Sequence, residues 1–162
     1  VLGFARIKII DSNFYRDIDW PIIIMLAAMI PIGTALQTTG LSDVISSSIS
    51  LLAADMSLFW LLFLILIITM ATTDIINNAA TAVIMAPISA GIGLELGYAI
   101  EPFLMVVAVG ASCAFLTPIG HQCNTVVMGP GNYKFTDYWR LGLPLDILII
   151  IVSIPMILFV WT

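Results

Sequence analysis

Several long stretches of this sequence carry no charged side chain. One runs from Trp20 to Ser42, a second from Pro102 to Tyr133, and a third from Ile147 to the last residue. An α-helix rises 1.5 Å per residue, so about 20 apolar residues cross a hydrocarbon core roughly 30 Å thick. The uncharged stretches therefore predict helices that cross a membrane.

The composition argues for a lipid environment and against a soluble domain. Of the 162 residues, 61% are hydrophobic and 9% are charged, whereas soluble domains contain about 25% charged residues. A soluble fold of this size has too little interior to bury so many apolar side chains. The net charge of −5, with only five basic residues, argues against a nucleic-acid partner.

The basic residues indicate how the chain is oriented. They form two groups, Arg6, Lys8 and Arg16 before the first stretch and Lys134 and Arg140 before the last. Because basic residues that flank membrane helices stay on the cytoplasmic side, both groups are expected in the cytoplasm. The segment formed by residues 41–101 then begins and ends on the outer side of the membrane. The opening residues lack a signal-peptide pattern, and we interpret the chain as a piece of a longer protein.

These patterns predict an all-α fold, a polytopic membrane protein with five segments. The segments are a span at 18–40, an interfacial helix at 41–55, a re-entrant hairpin at 57–94, a broken span at 102–130 and a final span at 143–161. In the interfacial helix, apolar residues recur at helical spacing and serines occupy the opposite face. Two full spans in place of the hairpin are the alternative.

Polar residues interrupt the apolar sequence at TTDIINNAAT, residues 72–81. Asp74, Asn77 and Asn78 are costly in lipid unless they face a water-filled cavity, and this cost favours the re-entrant hairpin. Plainer interpretations stay open. In one of them, the asparagines only cap a helix that begins near Ala79. In another, Asp74 caps a helix or pairs with a neighbour instead of binding an ion.

A second interruption lies at SCAFLTPIGHQCNT, residues 112–125. A broken helix presents free N–H groups and a positive dipole end on one side of the break, and free carbonyl groups and a negative end on the other. The first end suits an anion and the second a cation, so two facing breaks would hold both without a basic side chain. His121 either belongs to such a site or is a neutral, hydrogen-bonded loop residue.

The stretch ASCAFLTPIGHQCNTVV, residues 111–127, resembles the signature of the divalent anion:sodium symporters, which carry sulfate or di- and tricarboxylates. The segment 73–88, which ends in Ala86-Pro87-Ile88, is similar to that family's second re-entrant hairpin. The tail GPGNYKFTDYWRLGLPL, residues 129–145, resembles the sulfate-permease-like branch. The resemblance implies that this chain is the second of two inverted repeats of a secondary transporter.

The resemblance also implies which residues form the site. Sodium ligands are implied at Thr73, Ile76, Asn78 and Gly120. Substrate contacts are implied at Asn77, Asn78, Ala79, His121, Gln122 and Asn124. The family's tip motif Ser-Asn-Thr is replaced here by Asn-Asn-Ala, so the central asparagine alone is kept and a hydroxyl group is lost. The loop histidine is a second departure, and it would add a proton-dependent positive charge.

The predicted function is sodium-coupled symport of a small divalent anion by alternating access, with sodium as the coupling ion and no cofactor. The implied partners are the anionic solute, membrane lipid, the missing N-terminal repeat and a second copy in a homodimer, located in the cell membrane. A proton-coupled permease or exchanger that uses Asp74 and His121 is the alternative. A membrane subunit with a purely structural role is a further alternative.

An intramembrane enzyme is not expected from this sequence. It contains one histidine, no HExxH motif and no evident pair of intramembrane carboxylates, so it offers no recognisable catalytic centre. Cys113 and Cys123 are too few for a disulfide framework or a metal cluster.

Overall fold

The computed structural model describes residues 23–24, 27–28, 31, 34–35, 38–53 and 55–162. Its helices are α1 (Leu41–Ala53), α2 (Leu58–Thr73), α3 (Asn78–Glu95), α4 (Glu101–Ala111), α5 (Gln122–Met128) and α6 (Tyr138–Trp161), with a 3-10 turn at Phe135–Asp137. These ranges contain no strand, so the predicted all-α class is confirmed. The predicted span at 18–40 falls for the most part outside the described residues.

Helix α4 lies at the centre of the packed helices and contacts α2, α3 and α6. Pro102 stands in its first turn, where a missing backbone N–H breaks no helical hydrogen bond. Phe103, Val106 and Val107 of this helix are fully buried and belong to one apolar core that continues into α2 and α3. The rest of the fold is arranged around this helix.

Two glycines allow the central helices to approach one another closely. A Cβ atom added at Gly110 of α4 would lie 2.9 Å from the Cβ atom of Thr69 in α2. One added at Gly93 of α3 would lie 2.9 Å from the ring of Phe103 in α4. Small residues at helix crossings are typical of membrane proteins, where apolar side chains gain little by leaving lipid and packing must supply the attraction.

The serine face of α1 packs inwards, against α3. The buried side chains include Ser42, Ser46 and Ser50, and the exposed ones include Leu41, Val44 and Leu51. Ser46 donates a hydrogen bond to the Ile88 carbonyl oxygen at 3.0 Å, and a Cβ atom at Gly91 would lie 2.5 Å from the Ser46 hydroxyl oxygen. An interfacial helix is expected to turn its serines towards water. Here they form the packing face instead, because small hydroxyl side chains let two backbones approach and bond to carbonyl groups.

The helices end at both polar interruptions. Helix α2 ends at Thr73 and α3 begins at Asn78, and we call residues 74–77 between them the polar turn. Helix α4 ends at Ala111 and α5 begins at Gln122, and residues 112–121 between them are the break loop. Pro118 in the break loop has no N–H group with which to continue a helix.

One helical segment among the described residues, Phe135–Trp161, is both long and apolar enough to cross a membrane. Most of its side chains are exposed, which suits contact with lipid. The buried exceptions in α6 are Gly142, Asp146, Ile154 and Ile157. They mark the face that packs against the rest of the chain.

We expect Gly110→Ala to destabilise the protein, because the new methyl group would overlap Thr69. Overpacking of this kind lowers the free energy of unfolding by about 1–3 kcal/mol. The purified full-length variant should therefore melt at a lower temperature than the parent. Gly129→Ala is the matched control, since nothing lies within 4 Å of the atom it adds. Equal melting temperatures for the two variants would contradict the close crossing of α2 and α4.

Candidate functional site

Thr117 joins the break loop to the polar turn. Its hydroxyl group donates a hydrogen bond to the Asp74 carbonyl oxygen at 2.7 Å and accepts one from the Gly120 N–H at 3.1 Å. The Asp74 carboxylate accepts another from the Leu116 N–H at 3.0 Å. These bonds satisfy polar groups that two interrupted helices leave without helical partners.

Gly120 lies directly against the polar turn. A Cβ atom at this position would lie 3.0 Å from the Thr73 carbonyl oxygen, 3.2 Å from the Asp74 Cα atom and 2.7 Å from the Ala114 Cβ atom. A glycine is therefore needed for the two backbones to meet. The structure brings Gly120 and Thr73 together, two of the residues implied as sodium ligands.

Thr73 links three helix ends through one hydroxyl group. The Thr73 Oγ1 atom lies 2.9 Å from the Asn78 amide oxygen and 2.9 Å from the Ala111 carbonyl oxygen, and the side chain is fully buried. The single hydroxyl proton is donated to one of these acceptors at a time. The end of α2, the start of α3 and the end of α4 therefore meet at a cluster of oxygen atoms.

The two asparagines of the polar interruption have different surroundings. Asn77 is the N-cap of α3, and its side-chain oxygen accepts a hydrogen bond from the Ala80 N–H at 2.8 Å. The capping interpretation is therefore confirmed for Asn77, whereas Asn78 contacts Thr73. Ala79 lies half-buried in the first turn of α3, and the Ile76 side chain is exposed. Only the backbone carbonyl group of Ile76 suits the implied role of a sodium ligand.

The far side of the break loop contains His121, Gln122 and Asn124. His121 is exposed and caps α5, where its Nδ1 atom accepts a hydrogen bond from the Cys123 N–H at 3.2 Å. Gln122 is the first residue of α5, and its side chain lies outside the described part of the structure. Asn124 donates hydrogen bonds to the carbonyl oxygens of Ala114 at 2.9 Å and Thr117 at 3.1 Å. Both amide protons of Asn124 are thus used to fix the shape of the break loop.

Two buried carboxylates lie near the break loop. Asp74 is 5% exposed and Asp146, on α6, is 7% exposed. Asp74 accepts a hydrogen bond from the Leu116 N–H, and Gly142, one helical turn before Asp146, packs against the Phe115 carbonyl oxygen. Asp74 Oδ2 and Asp146 Oδ1 have no hydrogen-bond partner among the described residues. The approach of Asp74 and of α6 to the same break loop was not predicted, because the fold brings together residues that are far apart in sequence.

Sequence reasoning overlooked Thr117 and Asp146 as site residues. Thr117 precedes Pro118 in the break, where a hydroxyl group is well placed to bond to free backbone groups. Asp146 is the only carboxylate within the apolar sequence of α6, and an ionisable residue in such a position is a sign of function. Both signals were present in the residue types, but the partners of these side chains depend on tertiary structure.

Thr117→Val should loosen the contact between the break loop and the polar turn. It removes the bonds to the Asp74 carbonyl and the Gly120 N–H, each worth about 0.5–1.5 kcal/mol. Melting of the full-length protein should shift down accordingly. Thr72→Val serves as the control, because the Thr72 hydroxyl bonds only to the Ile68 carbonyl within its own helix. If Thr117→Val had the same melting temperature as Thr72→Val, the contact between the break loop and the polar turn would not stabilise the fold.

Comparison with known proteins identifies the relatives of this chain. The citrate transporter (CitMHS) family profile matches residues 5–110. An uncharacterised transporter of Escherichia coli (strain K12) is 37% identical over 157 residues, which make up 96% of this chain and 26% of that protein. A sodium-dependent dicarboxylate transporter of Staphylococcus saprophyticus is 25% identical over 154 residues, 94% of this chain and 29% of the relative. Sodium/sulfate cotransporter 2 of Chlamydomonas reinhardtii is 29% identical over 139 residues, 85% of this chain and 16% of the relative.

The chain spans about a quarter of the length of the Escherichia coli relative. The family profile covers well over half of the chain, and these relatives are named as transporters, so a place in a membrane follows from both. The predicted resemblance is confirmed. This chain belongs to the citrate transporter family.

Proposed function

We propose that this protein carries a small divalent anion, sulfate or a di- or tricarboxylate, across the cell membrane by symport with sodium. The observation that carries the proposal is the junction at which the polar turn packs on the break loop. Helix ends from α2, α3 and α4 meet there, and they supply the oppositely charged dipole ends that a cation and an anion need. Sodium-dependent dicarboxylate and sodium/sulfate transporters among the relatives support this choice of ions.

The cation side of the proposed site is built from oxygen atoms. Two oxygen atoms already lie within hydrogen-bond distance of the Thr73 hydroxyl oxygen. They are the Asn78 amide oxygen and the Ala111 carbonyl oxygen. Hard cations prefer such neutral and carbonyl oxygen ligands. The carbonyl groups of Ile76 and Gly120 complete the proposed set, and the close approach of Gly120 to Thr73 favours this arrangement.

The anion side of the proposed site is the N-terminus of α3. The first turn of an α-helix has N–H groups without helical partners and a partial positive charge, which together bind anions. Asn77, Asn78 and Ala79 lie at this terminus, and His121 and Gln122 follow the break loop opposite. Asn124 contributes by holding the loop carbonyls in place. Since Lys134 and Arg140 are exposed residues outside this junction, a bound cation is the natural counter-charge for a divalent anion.

Helix lengths favour the proposed re-entrant hairpin. At 1.5 Å per residue, α2 is about 24 Å long, short of a hydrocarbon core of roughly 30 Å, and α3, at about 27 Å, is at the lower limit for a complete crossing. The polar turn between them would then lie inside the membrane, facing a water-filled cavity. In this proposal the chain is the second of two inverted repeats, the missing repeat completes the site, and two copies form a dimer.

Proton coupling is the second candidate. Asp74 is buried and its Oδ2 atom lacks a hydrogen-bond partner among the described residues, so it is a chemically reasonable proton carrier, with the exposed His121 as an accessory group. Sodium coupling and proton coupling predict different driving forces for anion uptake, and a single experiment distinguishes them.

Uptake of labelled sulfate, citrate and succinate into proteoliposomes of the full-length protein tests the proposal. A sodium gradient imposed alone should drive accumulation of at least one of these anions, and sodium should raise the apparent affinity for it by linkage. A proton gradient imposed alone should not. Accumulation driven only by protons, and lost in Asp74→Asn or His121→Ala, would replace sodium coupling with the second candidate.

Asn78→Ala should abolish most uptake, because it removes a proposed ligand of both ions. The fold should survive, since the Thr73 hydroxyl keeps the Ala111 carbonyl oxygen as an acceptor. Asn77→Ala is the comparison, and it removes a helix cap worth about 1 kcal/mol of stability with a smaller effect on uptake. Measured uptake at equal surface expression decides between them. Asn78→Ala protein with parental uptake and sodium dependence would exclude the polar turn as the site.

A further inference from the structure

Asp146 is one of the few buried residues of α6, in which most side chains are exposed. It belongs to α6, yet it is only 7% exposed, and its Oδ1 atom has no hydrogen-bond partner among the described residues. Burying an ionised carboxylate without a counter-charge costs several kcal/mol even after relaxation. The proposed substrate site does not use this residue, so its burial requires another explanation.

The face of α6 that carries Asp146 is packed on the break loop. Gly142 lies four residues before Asp146, hence on the same helix face, and a Cβ atom at Gly142 would collide with the Phe115 carbonyl oxygen. The next residue of the break loop, Leu116, donates its N–H to Asp74. Asp74 therefore contacts the break loop at Leu116, and the face of α6 that carries Asp146 contacts it at the neighbouring residue, Phe115.

The charges in this region do not balance within the described chain. The buried Cys113 donates its thiol hydrogen to the Val109 carbonyl oxygen and not to a carboxylate. The Leu116 and Thr117 N–H groups act on the Asp74 carboxylate, whereas Asp74 Oδ2 and Asp146 Oδ1 have no hydrogen-bond partner among the described residues. Each of the two side chains is at least nine-tenths buried and has a carboxylate oxygen without a hydrogen-bond partner among the described residues. Carboxylate oxygens of this kind suit a hard cation as ligands.

We propose that Asp74 and Asp146 form a second cation site, which binds sodium against the break loop. Loop carbonyl groups, that of Phe115 first among them, supply further oxygen ligands. This inference rests on the proposed function and deepens it, because it adds a sodium ion whose ligands are carboxylates to the one held at Thr73 and Asn78. A sodium ion here would neutralise part of the buried charge and tie α6 to the polar turn.

The test measures binding of radioactive sodium to purified full-length protein, with choline chloride replacing sodium chloride to keep the ionic strength constant. Asp146→Asn should lower the sodium bound per protomer by about one ion and weaken the sodium-dependent rise in melting temperature. In proteoliposomes it should raise the sodium concentration for half-maximal uptake of sulfate or succinate about tenfold, as loss of a charged ligand does. Asp55→Asn, which neutralises an exposed carboxylate, is the matched control and should behave as the parent.

The outcomes separate this site from the transport proposal. Parental protein without sodium-driven uptake would contradict the proposed function itself. Sodium-driven uptake in the parent, with unchanged sodium binding in Asp146→Asn, would overturn the second site alone. A changed pH dependence with unchanged sodium binding would also overturn it, since the carboxylates would then share a proton.

If Asp146→Asn does not fold, Asp146→Glu keeps the charge and moves the carboxylate by one methylene group. A cation site should then change its preference between lithium and sodium. An unchanged preference would equally overturn the proposal.

Discussion

Side chains at two interrupted helices satisfy free backbone groups across the junction, and the rest of the structure depends on this. Lipid offers no hydrogen bonds, so a helix that stops within a membrane must find partners for its free N–H and carbonyl groups in the protein. Here Thr117 bonds to both the polar turn and Gly120, Asn124 bonds to two carbonyl groups of the break loop, and Thr73 reaches the end of α4. The interruptions are therefore stable only as a pair.

This pairing explains why small residues are placed at the helix crossings. The polar turn and the break loop meet only if α2, α3 and α4 approach closely, and Gly93 and Gly110 permit that approach. Gly120 permits the final contact between the two backbones. Packing between helices and polar satisfaction at the junction thus support each other.

Residue types alone predicted much of this molecule, but the partners of its polar side chains required the fold. Long apolar stretches predicted the helices, and the polar residues at 72–81 and 112–125 mark where the helices end. The inward serine face of α1 was missed, because amphipathic spacing does not reveal that Ser46 can bond to a carbonyl group on another helix. The burial of Asp146 was missed for a similar reason, since it depends on the packing of α6 against the break loop. Asn124, implied as a substrate ligand, uses its amide protons on loop carbonyls.

The central claim is that the polar turn lies inside the membrane against the break loop and there forms the transport site. A cryo-electron microscopy structure of the full-length protein in lipid nanodiscs, prepared in sodium chloride, tests it most directly. The account predicts that residues 74–77 lie near the bilayer midplane, packed on residues 112–121, with cation density beside Thr73 and Asn78. A polar turn at the membrane surface, with α2 and α3 each crossing the bilayer completely, would contradict the account.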